Sequence, residues 1–121
     1  DISLADARKG FTMFEKVNVP VLGIVENMSF YICSHCGHRE NIFDNGGGRK
    51  AAEELGVPFL GEIPLHTSIR VSGDTGKPIV LDDAHPDQKE AISRIARNMA
   101  AQISIHNASR PEGATVDIQL L

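Results

Sequence analysis

VPVLGIVENM, residues 19–28, is the stretch whose reading decides the fold. Pro20 stands near its start, and Val21, Leu22, Ile24 and Val25 form a near-continuous apolar run. A strand with one wet face alternates apolar and polar residues. A run without alternation marks a strand covered on both faces, as in a parallel sheet. The run closes on polar Glu26 and Asn27. A related phrase, VPFLGEI, follows at residues 57–63. The sequences around the two phrases do not match, so they read as two strands in similar settings rather than as a tandem repeat. Between them lies GGGRKAAEELG, residues 46–56, which offers a short helix. Ala51, Ala52 and Leu55 form its apolar face, and Gly56 is its stop. Strand, helix, strand is a βαβ unit, whose crossover is right-handed by strong preference. The expected class is therefore α/β with a mainly parallel sheet.

Upstream, residues 3–16 are expected to form an amphipathic helix. Ser3 is its candidate N-cap and Asp6 follows three residues on, a carboxylate variant of the capping box. Leu4, Ala7, Phe11 and Phe14 share one face. Gly10 weakens this helix by roughly 1 kcal/mol relative to Ala, so close packing is the expected reason for it. Downstream, a short helical turn is expected near Ser68–Ser72, and a short edge strand over Pro78-Ile79-Val80-Leu81. Residues 86–105 give the clearest helix, with Pro86 at its first position and Ile92, Ile95, Ala96, Met99 and Ile103 marking the inner face. One domain over residues 1–105 and a polar tail over 106–121 are expected, with VDIQLL at the end able to add an edge strand.

Composition narrows the function. The chain has 121 residues, 41% of them hydrophobic, which fits one domain with a real core. Net charge is −4, and no basic run exceeds Arg49-Lys50, so no nucleic-acid footprint is visible. No apolar stretch approaches the ~20 residues that span a bilayer, and no signal-peptide pattern stands out. A cytosolic (cytoplasmic) protein with no membrane or nucleic-acid partner is expected.

Cys33 and Cys36 are the two cysteines of the chain, in FYICSHCGHRENIF, residues 30–43. Two thiolates at this spacing can chelate one soft or borderline metal centre. Gly37 directly after Cys36 leaves room for a tight turn that points both sulfurs the same way. The inserted loop that carries them is expected to run over residues 28–45. One pair supplies only two ligands, so a four-thiolate site needs a twin, most simply a symmetric dimer. Such a site suits a [4Fe–4S] cluster or a structural zinc. Other readings stay open: a one-chain zinc site with His35 and His38, a redox pair, or an inert turn. The redox pair is disfavoured because it belongs at the start of a helix, where the dipole lowers the thiol pKa. The inert turn is disfavoured because paired exposed thiols are an oxidation liability.

Asn27 lies at the end of the first apolar run, where open α/β sheets collect ligands. Its amide could meet the edge of a purine, although a turn Asn bonding its own backbone is the simpler reading. Pro64 and Leu65 end the second run in the same way. Gly46-Gly47-Gly48 opens a helix but is not a phosphate loop, since no Gly-Lys-Ser/Thr follows. A flexible helix entry is the expected role. No nucleophile–base pairing is legible among the acidic residues and histidines.

The run KVNVPVLGIVENMSFYICSHCGHRENIFDNGGG, followed by GVPFLGEIPLHTSIR and DTGKPIV, resembles the Mrp/ApbC-type iron–sulfur carrier proteins, which are MinD-like P-loop ATPases. The resemblance covers roughly residues 1–105. It implies the C-terminal half of a doubly wound P-loop fold that dimerises, with Cys33 and Cys36 holding a [4Fe–4S] cluster between subunits. It implies that the cluster is passed to apo-protein clients and that ATP with Mg2+ drives rearrangements. It places Asn27, Pro64 and Leu65 beside the adenine base. The Walker A lysines and magnesium-binding residues lie upstream in that family, so these 121 residues alone are expected to be inactive as an ATPase. A departure is Ser34, where the family often has Pro. The alternative function is a non-catalytic zinc-binding dimerisation module.

Overall fold

The computed structural model describes residues 2–109. Helix α1 (Ile2–Lys16) leads into strand β1 (Ile24–Ile32), the short strand β2 (Arg39–Glu40) and helix α2 (Gly47–Leu55). Strand β3 (Phe59–Leu65), helix α3 (Thr67–Thr75), a 3-10 turn (Ile79–Leu81) and helix α4 (Pro86–Ala108) complete the order. The sheet order is β2-β1-β3, with β1 and β3 parallel and β1 and β2 antiparallel. The expected βαβ unit is β1-α2-β3.

The parallel pair is joined where the two related phrases run side by side. Ile24 N–H donates to the Pro58 carbonyl at 2.9 Å, and Ile24 lies opposite Phe59. Asn27 lies opposite Ile63, and Tyr31 opposite Leu65. The register slips between Asn27 and Tyr31, where Met28 takes a positive φ of 55°. A bulge of this kind bends a strand without ending it. The first strand therefore does not stop at Asn27. It starts later than the apolar run and continues to Ile32. Nor is it covered on both faces, because Val25 and Met28 are 38% and 49% exposed.

The core is small: Ala51 and Ala52 of α2, Leu60 of β3, Ile79 and Ile95 of α4. Alanines suit α2 because its first turn rides directly on β1. A Cβ added at Gly48 would sit 2.8 Å from the Glu26 Cβ. Gly56 ends α2 with φ 68°, as expected of a left-handed stop. Helix α4 begins at Pro86, which needs no N–H partner there. It is fastened to β3 by Asn98, whose Nδ2 donates to the Leu60 carbonyl at 2.8 Å.

Several expectations need correction. Helix α1 already includes Ser3, so Ser3 is not its cap. No described atom lies within 4 Å of a Cβ built at Gly10, so close packing does not explain that glycine. The turn expected near Ser68–Ser72 is the nine-residue helix α3, because its imidazole-capped start and the Gly76 stop extend it in both directions. Residues 79–81 form a 3-10 turn instead of an edge strand. The Leu81 and Asp82 N–H groups bond back to Pro78 and Ile79, which curls the segment and buries Ile79. On α4, Ile95 is buried, but Ala96, Met99 and Ile103 are exposed. The helix is about 34 Å long at 1.5 Å per residue, and none of its residues after Ile95 is buried. It also passes the expected boundary at residue 105 and ends at Ala108. VDIQLL lies outside the described residues.

Gly61 offers a test of the β3–α4 contact. Its φ is 147°, and an added Cβ would meet the Ile95 Cγ1 at 2.7 Å. Gly61→Ala is expected to destabilise the fold by about 2–4 kcal/mol, combining backbone strain with overpacking. A lowered urea midpoint at unchanged slope is the measurement.

Candidate metal centre

Both cysteines sit at the tip of a β-hairpin, not in an irregular loop over 28–45. Phe30, Tyr31 and Ile32 are strong strand formers and carry β1 past the bulge. Tyr31 and Ile32 pair with Glu40 and Arg39. Cys33 N–H donates to the His38 carbonyl, and Gly37 N–H donates to the Cys33 carbonyl, both at 2.9 Å. Gly37 has φ 70°, the left-handed conformation that a side chain resists. The tight turn expected at this glycine is therefore present. Cys33 is half-buried and Cys36 exposed, and both are free thiols.

The turn directs donors at one sulfur. The Cys33 thiol lies below its ordinary range. The largest cause is the Cys36 backbone N–H, followed by that of His35, then the Cys36 thiol, with a smaller contribution from the Tyr31 hydroxyl. Partial burial opposes these but does not win. Hydrogen bonds to a thiolate favour the charged form, which is the form that binds metal.

The hairpin is propped from below by a network that sequence reading missed. Buried Ser29 donates its hydroxyl to Glu62 Oε2 at 3.1 Å, and Arg39 donates to Glu62 Oε1 at 3.4 Å. The Arg39 guanidinium also lies over the Phe30 ring, 3.5 Å from its centroid. Thus β3 holds both arms of the hairpin through one carboxylate. The available signal was Glu62 itself, a charge inside an otherwise apolar strand phrase.

Among the described residues, no three His, Cys, Asp or Glu side chains gather closely enough to hold a metal ion. His35 and His38 therefore do not complete a one-chain zinc site with the two cysteines. The turn itself carries two free thiols, Cys33 and Cys36.

Asn27, Pro64 and Leu65 come together on adjacent strands, since Asn27 faces Ile63 in the register. Asn27 is exposed, Pro64 buried and Leu65 half-buried. The Asn27 Oδ1 accepts the Met28 N–H at 2.9 Å, so this side chain supports its own bulge. Glu26, next to it, turns under α2 and keeps one buried carboxylate oxygen without a partner among the described residues. The Gly46-Gly47-Gly48 run enters α2 with Gly46 at φ 84° and no side-chain cap, consistent with a helix entry.

The family model for ParA, described as NUBPL iron-transfer P-loop NTPase, matches residues 1–100. The chain belongs to this family. It is 50% identical over 103 residues to the iron-sulfur cluster carrier protein of Escherichia coli (strain K12), covering 85% of this chain and 28% of that protein. It is 46% identical over 103 residues to the iron-sulfur cluster transfer protein NUBPL of Mus musculus, covering 85% of this chain and 32% of that one. The chain thus spans about three tenths of the length of these relatives. Among solved structures it is similar to a nucleotide-binding protein from Archaeoglobus fulgidus in complex with ADP. The TM-score is 0.53 at 36% identity, over 60% of this chain and 30% of that one. The P-loop NTPase fold class expected from the sequence is therefore the one found. In this chain the paired thiols stand on a hairpin arm that extends one of the parallel strands.

The thiol environment can be titrated. Because the Cys33 pKa is lowered, its thiolate is expected at lower pH than in an ordinary thiol. In metal-free protein, the pH–rate midpoint for alkylation of Cys33 by iodoacetamide should fall below the ordinary thiol range. Gly37→Val should raise it, by disturbing the turn that aims the N–H groups. A wild-type midpoint at or above the ordinary range would contradict this account.

Proposed function

We propose that this chain is the cluster-holding segment of an iron–sulfur carrier. Two copies face each other, and Cys33 and Cys36 of both hold one [4Fe–4S] cluster as cargo for apo-protein clients. The observation that carries the reading is the hairpin tip, where two free thiols stand on one tight turn and, among the described residues, no group of three candidate ligands gathers with them, so one chain supplies half a ligand set. The names of the relatives, iron-sulfur cluster carrier and transfer proteins, support the same reading over the zinc-binding dimerisation module. Zinc remains a chemical substitute, because four thiolates bind it well.

The chain's own residues would work as follows. A lowered Cys33 pKa readies a ligand without strong base. The N–H groups directed at its sulfur offset the negative charge that four thiolates and a cluster bring together. The exposed Cys36 leaves the site open on the side from which a client thiol would approach. Transfer then needs only ligand exchange, one thiolate replacing another, with no change in electron count.

Asn27, Pro64 and Leu65 are proposed to meet the base of a nucleotide, ATP with Mg2+ in the whole protein. The support is their adjacency across β1 and β3 and the ADP-bound neighbour. A cytosolic setting suits free paired thiols, which persist in reducing surroundings. Among the described residues no helix is long and apolar enough to cross a membrane.

Anaerobic reconstitution of the full-length protein with iron and sulfide should give about four irons per dimer. The Cys33→Ser/Cys36→Ser variant should take up none, and normal uptake by it would refute the reading. Separately, Asn27→Ala should weaken ATP binding by about tenfold, the loss of one to two hydrogen bonds, while cluster uptake stays normal. Calorimetric titration with nucleotide measures the first and iron counting the second.

A further inference from the structure

His66 joins β3 to α3, and its side chain reaches forward over the first turn of that helix. Ser68 N–H donates to His66 Nδ1 at 3.2 Å, and the Ser68 hydroxyl lies 2.7 Å from the same nitrogen. His66 is therefore the N-cap of α3. Helix caps are normally oxygen acceptors that stay acceptors across neutral and mildly acidic pH. An imidazole nitrogen accepts only while it keeps its lone pair, which requires the neutral ring with its proton on Nε2.

A second proton would act against this arrangement in three ways. It removes the acceptor, leaving the Ser68 N–H uncapped. It places positive charge at the positive end of the α3 dipole. It also charges a ring 5.5 Å from that of His85, the two meeting edge to face at 61°. The groups around His66 are few. Lys77 and Asp82, from the segment after α3, line the same cleft, and His85 comes from the start of α4. Asp82 is drawn towards His85, 4.0 Å from its Nε2. On α3 itself, Arg70 and Asp74 pair with each other. The hairpin contributes the uncharged Ser34.

The geometry points to His66 as a proton-operated latch on the cleft beside the cysteine turn: neutral, it fastens the first turn of α3; protonated, it releases it. The cleft measures about 940 Å³ and runs between α3, the 3-10 turn and the start of α4. Ser34, which stands between the two cysteines, forms part of its wall. The loosened helix start therefore borders the turn itself. The consequence for cluster handling rests on the function proposed above, whereas the latch does not.

Burial first, and the neighbouring His85 second, hold His66 below its usual value. The unfolded chain thus takes up the proton before the folded one. The contribution of the cap is complete above the ordinary imidazole pKa and is lost as pH falls through the lower, folded value.

Amide hydrogen exchange on the full-length protein tests this. Corrected for intrinsic rates, the Ser68, Ile69 and Arg70 amides should lose about fivefold protection as pH drops from 7.5 towards ~5, the factor expected of a lost cap. His66→Asn supplies an acceptor that does not titrate, so protection in it should stay flat with pH. His85→Asn should keep the latch and raise its midpoint. Nitrogen-detected NMR of the wild-type ring should show the proton on Nε2 at neutral pH. An unchanged pH dependence in His66→Asn, or a proton on Nδ1 at neutral pH, overturns the proposal. The second measurement decides even if the variants fold poorly.

Discussion

The parallel pairing of β1 with β3 is the constraint on which the rest depends. Each strand alone would expose unpaired N–H and C=O groups, and α2 and α4 both pack on the paired strands. Pairing gives Ala51 and Ala52 of α2 one face to pack on. It also sets Leu60 and Gly61 where Ile95 and Asn98 of α4 can reach them. A core this small, five buried apolar side chains among the described residues with none of those larger than alanine fully enclosed, leaves little margin. Close backbone contacts at Gly48 and Gly61 compensate by bringing helices near the sheet where larger side chains would hold them off.

The same pairing positions the chemistry. The hairpin that bears Cys33 and Cys36 is an outgrowth of β1, so its direction is inherited from the sheet. Glu62 on β3 then holds it from below through Ser29 and Arg39. This ion pair is partly exposed and adds little stability by itself. Its value lies in linking two strands and both hairpin arms through one group, which restricts how the tip can lean. The function proposed above asks for an open tip on a steady stem, and this architecture supplies both.

Apolar side chains remain uncovered on several surfaces: Val25 and Met28 on β1, Met13 and Phe14 on α1, Met99 and Ile103 on α4. This distribution matches a chain that spans about three tenths of its relatives.

The sequence by itself determined the α/β class, the strand–helix–strand order and the paired cysteines on one turn. These depend on local pattern: an unbroken apolar run, a glycine stop, two cysteines three apart with a glycine behind them. Pro64 was also legible as a residue near the end of its strand, whereas Asn27, read the same way, lies inside β1 at the bulge its side chain supports. Tertiary structure alone decided where the strand ends, because Met28 in the left-handed region bends β1 and lets it run on into the hairpin. It alone made residues 79–81 a curl rather than a strand, since the Leu81 and Asp82 N–H groups bond back to Pro78 and Ile79 and, among the described residues, no strand pairs with them. It alone joined Glu62 to Ser29 and Arg39, and His66 to His85, pairs far apart in the chain. A pattern read along one dimension records which residues can form an element. Which carboxylate meets which guanidinium is fixed only once the sheet register has set their positions in space.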